Sequence, residues 1–250
     1  MARRFFIEKD IKIGEEIEIT GEEAKHIMVL RYNIGEKILI NDKICEIKDI
    51  SKYGIKVEAI EEEKKTETPN VNITLFQALL KSDKLEFVIQ KSVELGIYKI
   101  KPFISKNVVV KLNDSDKIRK IDRWNKISKE ASKQCGRNDI VTVENINSFK
   151  SMIEELPQYD LVLIAYENEV QSLKEAIQKN ISAKNIAIII GAEGGFEKDE
   201  VSEILKQKNA ISVSLGPRIL RAETASLNLI SILMYEFDED TRNSAHNMIK

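Results

Sequence analysis

The chain is poor in the residues that staple or metallate small folds. It has two cysteines, Cys45 and Cys135, and two histidines, His26 and His246, in 250 residues. So few thiols exclude a disulfide scaffold and are compatible with a reducing cytoplasm. The scattered Cys and His positions offer no zinc spacing, so no metal is expected. No apolar run approaches the roughly 18 residues of a membrane-spanning helix. Charges interrupt the first ten residues, Met1 to Asp10, unlike a secretory leader. These absences lead to the expectation of a cytoplasmic protein with no membrane partner. There is no internal repeat and no low-complexity tract. Neither Gly-x-x-x-x-Gly-Lys-Ser/Thr nor Gly-x-Gly-x-x-Gly occurs among the ten glycines, which counts against an ATP or dinucleotide user.

What is abundant is charge, 32% of the chain, with a net of only −2. Its distribution is uneven. Residues 1–70 hold 13 Lys+Arg against 16 Asp+Glu, residues 71–140 hold 15 against 8, and residues 141–250 hold 11 against 17. A basic middle segment between two acidic ones can bind phosphates although the whole protein is acidic, or can be a set of solvated helix faces.

Two kinds of patterning divide the chain. Residues 14–19, 37–47 and 52–60 alternate as half-buried strands, with a turn at Asn41-Asp42-Lys43 and one helix at 21–30. This reads as a small barrel. The charged stretch 61–70, which holds Pro69, reads as a linker. From Val71 the pattern becomes alternating strands and helices. Strands are expected at 71–78, 97–103, 160–165, 186–190 and 211–215. Helices are expected at 83–95, 118–134, 170–179, 198–207 and 222–235. The run Ile186–Ile190 is wholly apolar, as a strand buried on both faces must be. Such alternation implies an α/β fold with a mostly parallel sheet. The domains are accordingly 1–68 and 71–245.

Ligands of open α/β sheets bind beyond the carboxyl ends of the strands. Two loops at such ends stand out. Gly191-Ala192-Glu193-Gly194-Gly195-Phe196 has three glycines that let backbone N–H groups approach a ligand, or simply turn the chain. Leu215-Gly216-Pro217-Arg218-Ile219-Leu220-Arg221-Ala222-Glu223-Thr224-Ala225 bends at Gly216-Pro217 and leads into the last helix.

Together these loops resemble the paired signature of the SPOUT methyltransferases, and most closely the RsmE-type 16S ribosomal RNA (uracil-N3)-methyltransferases. The other matching segments, in order, are Arg3-Arg4-Phe5-Phe6, His26 to Arg31, Lys81 to Gly96, and Trp124 to Arg137. The match runs from Arg3 to about Tyr235. One departure is Ala192, where the family usually has proline, which would fix φ.

The resemblance implies a C-terminal α/β-knot (trefoil-knot) domain and a small N-terminal PUA-like β-barrel that binds RNA. It implies a homodimer, S-adenosyl-L-methionine as cofactor, and 16S rRNA in the assembled 30S subunit as substrate. The cofactor would meet Glu167, Ile190, Gly191, Gly194, Gly195, Leu215, Gly216, Ile219, Leu220 and Ala225. Arg221 would orient the base, and either Glu223 or Glu193 would set geometry or take the N3 proton. Phosphates would meet Arg3, Arg4, Arg31, Lys81, Lys84, Lys91 and Arg137. The plainer reading of Lys84 and Lys91 is pairing with nearby acids. Phe5 and Phe6 read as core, His26 as structural or phosphate-binding, and Trp124 as packing. The alternative function is a non-catalytic RNA-binding protein that retains the fold.

Overall fold

The computed structural model describes residues 3–63, 69–166 and 171–238. The chain folds into two compact units. One holds 1–67 together with 132–140, and the other holds 68–131 and 141–250.

The smaller unit contains strand β1 (Arg4–Phe5), β2 (Glu16–Ile19), helix α1 (Gly21–Val29), β3 (Lys37–Ile40), β4 (Lys43–Ile50) and β5 (Ile55–Glu62). The strands form one mixed sheet in the order β1-β3-β4-β5-β2. Alternate residues Ile38, Ile40, Cys45, Ile47, Ile55, Val57 and Ala59 face one core with Phe5 and Ile27 of α1. Period-2 alternation makes one face apolar and leaves the other to solvent. Glu61 and Glu62, expected in the linker, instead extend β5 and pair with Ile44 and Lys43. The remaining linker positions 64–68 lie outside the described residues.

The larger unit contains β6 (Asn72–Ala78), α2 (Lys84–Glu94), β7 (Lys99–Ile104), α3 (Asp114–Cys135, whose last turn belongs to the smaller unit), β8 (Thr142–Val143), β9 (Asn147–Ser148) and α4 (Phe149–Glu155). It continues with β10 (Leu161–Ala165), α5 (Leu173–Lys179), β11 (Asn185–Ile190), α6 (Lys198–Ile204), β12 (Ala210–Val213) and α7 (Ala222–Phe237). All its strand pairs are parallel, in the order β12-β10-β11-β6-β7-β8, with β9 also on β7. The expected α/β class holds.

The apolar run of β11 is split by the pleat. Ile186, Ile188 and Ile190 join the core under α2, α3, α5 and α7, while Ala187 and Ile189 join the core under α4 and α6. A strand between two helical layers has no polar face to offer. Trp124 packs in the first of these cores, as expected.

The start of β11 is tied to that of β10. Asp160 accepts hydrogen bonds from the N–H groups of Lys184 and Asn185 at 2.9 and 2.8 Å. These bonds, that from Asn185 first, hold its carboxyl below the usual carboxylate range. A depressed pKa gives stability that is complete above the unfolded value and is lost as pH falls through the folded one. Unfolding free energy should therefore decline below about pH 4. Asp160→Ala should flatten that acid limb in urea titrations across pH; an unchanged limb would refute this role.

Candidate active site

Parallel pairing brings five strand ends to one edge of the larger sheet. β10 lies between β11 and β12, so the two Gly-containing loops leave the sheet on either side of the end of β10. β6 lies on the other side of β11, so Lys81 and Lys84 emerge beside the first loop. The segment after β7 follows.

The first loop closes as a tight turn, with the Gly195 N–H donating to the Ala192 carbonyl at 3.0 Å. Gly195 sits at φ +66°, where a side chain would be strained. Ala192 is buried in the core beside Phe196, so the turn forms without the family's proline. Asn107, which nothing in the sequence singles out, braces the loop from outside. Its amide donates to the Gly194 carbonyl at 3.0 Å and to Glu197 at 3.1 Å. A Cβ at Gly194 would come within 3.0 Å of the Asn107 Cβ. Asn107→Ala should loosen the loop and weaken cofactor affinity by about tenfold, the loss of roughly one hydrogen bond. Calorimetric titration reads this directly, and an unchanged Kd would remove Asn107 from the site.

Three charged side chains converge beside that loop. Glu193 accepts from the Lys81 backbone N–H at 3.0 Å and from Lys84 Nζ at 3.3 Å. Lys84 Nζ also lies 3.9 Å from Glu223 Oε2. That Oε2 is sealed from solvent and accepts no hydrogen bond from the described residues. Burial pushes the Glu193 carboxyl up, but the Lys81 N–H and the Lys84 ammonium outweigh it and hold it below its usual range. Ser82, between the two lysines, has φ +55°, a backbone state of the kind that costs a non-glycine residue of order 1 kcal/mol.

The second loop turns at Gly216, φ +116°. Arg221 is exposed and is the N-cap residue of α7, placing Glu223 in that helix's first turn. Leu215 and Gly216 line a cleft of about 860 Å³ with Leu173, Ile177, Asn228 and Ile232. Asn228 Oδ1 is buried there without a hydrogen-bond partner among the described residues. Ile219 is 88% exposed and Leu220 half-buried, whereas Ile190 and Ala225 pack in the core and can offer a ligand little beyond backbone. Glu167 lies outside the described residues.

The basic residues separate into groups. Arg3 and Arg31 are exposed on the smaller unit, and Lys81 is exposed on the larger. The expectation for Arg4 is corrected. It is 3% exposed, and its guanidinium is spent on the Asn41 and Gly136 carbonyls and on Glu63, so it is a structural cation rather than a phosphate ligand. Lys91 pairs with Glu94 one turn on, at 2.8 Å, and Arg137 with Asp139, also at 2.8 Å. Lys84 points into the carboxylate cluster. Phe5 and Phe6 are buried, as expected, and His26 is half-buried with its ring edge-on to Phe5. Among the described residues no group of acidic, His and Cys side chains could hold a metal, and no helix is long and apolar enough to cross a membrane.

The family model for the RNA methyltransferase domain matches residues 66–234. The ribosomal RNA small subunit methyltransferase E of Bacillus subtilis is 34% identical, over 94% of this chain and 96% of its own. That of Mesomycoplasma hyopneumoniae is 32% identical, over 91% and 97%. The crystal structure of the Neisseria gonorrhoeae enzyme of that name, bound to S-adenosyl methionine, superposes with a TM-score of 0.87 at 28% identity, over 94% and 98%. The expected α/β-knot domain with a small barrel-like domain is thus the fold class of the chain. Matched along nearly its whole length, the chain belongs to the RNA methyltransferase family, among the ribosomal RNA small subunit methyltransferases E.

Proposed function

We propose that the protein uses S-adenosylmethionine to methylate N3 of one uridine in 16S rRNA, within the assembled 30S subunit. The observation that carries the chemistry is the meeting of Glu193, Lys84 and Glu223 at the edge where both Gly-containing loops emerge.

The residues present fit the cofactor. The Gly191–Gly195 turn and Leu215–Gly216 offer backbone groups at close approach, and the cleft that Leu215 and Gly216 line combines apolar walls with the Asn228 oxygen, which has no hydrogen-bond partner among the described residues. Bound S-adenosylmethionine supplies an electrophilic methyl group on a sulfonium. The chain's own residues then position the base and manage its proton. Neutral uridine carries a proton at N3, which has to leave. Glu223 accepts it, because its Oε2 accepts no hydrogen bond from the described residues. Glu193 is already held by the Lys81 N–H and by Lys84, so it positions the ammonium. Lys84 and Arg221 face the negative charge that grows on the base oxygens.

Arg3, Arg31 and Lys81 contact RNA phosphates, residues 1–68 serve as the RNA-binding barrel, and 71–245 as the methyltransferase domain. The protein acts as a cytoplasmic homodimer. The non-catalytic alternative would not need a half-buried carboxylate whose Oε2 lies 3.9 Å from a lysine and accepts no hydrogen bond from the described residues. A thermal-shift series tests the cofactor assignment. S-adenosylmethionine at about 100 times its Kd should stabilise by roughly 2.7 kcal/mol. NAD and ATP should give no shift. A shift with NAD or ATP instead would overturn the assignment.

A further inference from the structure

Strand β6 carries an anomaly on its buried face. Ile73 and Leu75 point into the core under α2 and α7. By the two-residue period the next position on that face is Gln77, which is 0% exposed. A carboxamide there is costly unless it is hydrogen-bonded. It is bonded on both sides. Its Nε2 donates to the Gly191 carbonyl and to the Ala78 carbonyl, each at 3.2 Å. Its Oε1 accepts from the hydroxyl of Ser226, which is also 0% exposed. Ser226 has the Ala222 carbonyl at 2.9 Å as an alternative acceptor.

The partners are the point. Gly191 opens the first loop, directly beyond the register pair Ile190–Gln77. Ser226 lies on α7, one turn after Glu223 and five residues after Arg221. One side chain therefore bonds the loop assigned to the cofactor and the helix assigned to the base. An aliphatic residue would fill the space as well, and a carboxylate would oppose two carbonyl oxygens. A neutral amide of this length donates to the carbonyls at one end and accepts the hydroxyl at the other.

We propose that Gln77 is a positioning residue that sets the distance between the cofactor loop and the start of α7, with Ser226 as its relay to the helix. The inference rests on the proposed function. In a displacement reaction the separation of donor and acceptor governs the rate, and a misplacement near 1 Å costs of order 100-fold. Gln77 acts on both partners of the reaction, whereas Ser226 acts on the helix alone.

The test is to measure Kd for S-adenosylmethionine by calorimetry, kcat for methyl transfer, and Tm, in full-length Gln77→Met, Ser226→Ala and the double variant. Ser226→Ala should lower kcat about tenfold with Kd within twofold of wild type. Gln77→Met should lower kcat about 100-fold and raise Kd severalfold. The double variant should be no worse than Gln77→Met, because both act through one link. Ser226→Thr, which keeps the hydroxyl, should restore kcat relative to Ser226→Ala. A lower Tm with wild-type kcat and Kd per folded molecule would overturn the proposal and leave a merely structural hydrogen bond. If Gln77→Met does not fold, an unchanged kcat in Ser226→Ala overturns it as well. Failure of the wild type itself to bind S-adenosylmethionine would instead overturn the functional reading, and this proposal with it.

Discussion

Glu223→Gln is expected to lower kcat for methyl transfer by about 10²–10⁴-fold, the usual worth of a positioned general base. The substitution keeps the size and reach of the side chain and removes its basicity, together with the charge that faces Lys84. Cofactor affinity should stay within twofold, since the nearest charged group to the affected oxygen is Lys84, which is assigned to the base rather than to the cofactor. Glu193→Gln should have a different signature. Glu193 already accepts the Lys81 N–H and the Lys84 ammonium, so its loss displaces Lys84 without removing the base. Its kcat should fall less, by about tenfold, the scale of one weakened positioning contact. If Glu193→Gln were the more damaging of the two, the roles of the two carboxylates would be exchanged.

Lys84→Met should produce the second large effect, a loss in kcat of about 10²-fold, the scale of removing one donor that faces developing charge. The split between kcat and KM separates the two roles open to this lysine. Burial alone would raise the Glu193 carboxyl, and the Lys81 N–H and Lys84 together bring it below its usual range. Deleting the ammonium removes part of that downward pull, so the group stays protonated to higher pH. In a carboxylate titration of Lys84→Met the Glu193 group should therefore move upward in pH. A lysine that only contacts RNA phosphate would behave otherwise. Its loss would raise KM for RNA and reduce the salt slope by about one, with kcat unchanged. That second pattern would return Lys84 to the RNA-binding group. Lys91→Met serves as a contrast, because Lys91 sits in an exposed pair with Glu94, which contributes under about 1 kcal/mol.

The layout of the larger unit is legible wherever one strand or helix declares itself locally. Five consecutive apolar residues make β11 a central strand, and Gly96 at φ +94° ends α2 where the glycine stands. Short elements are silent. α4, seven residues long, and the two-residue strands β8 and β9 have too few positions to establish a period. The linker starts later than its composition suggests, because a run of glutamates hides that Glu61 and Glu62 pair along an edge of β4.

The site divides in the same way. Both loops are visible because glycines cluster beyond strands. The cluster itself is not visible, since Lys84 and Glu193 lie 109 residues apart and meet only through the parallel pairing of β6 with β11. Asn107 and Gln77 are silent in the sequence for that reason too. The burial of Arg4 is equally hidden, because it depends on Asn41, Glu63 and Gly136, none of them neighbours in sequence.

The central claim is best tested by transfer of labelled methyl from S-adenosylmethionine to 30S subunits that lack the modification, with naked 16S rRNA alongside and the labelled nucleotide mapped. The account predicts label at N3 of a single uridine, on subunits and not on naked RNA, and near-complete loss with Glu223→Gln. Label on another atom or base, or equal labelling by Glu223→Gln, would contradict it.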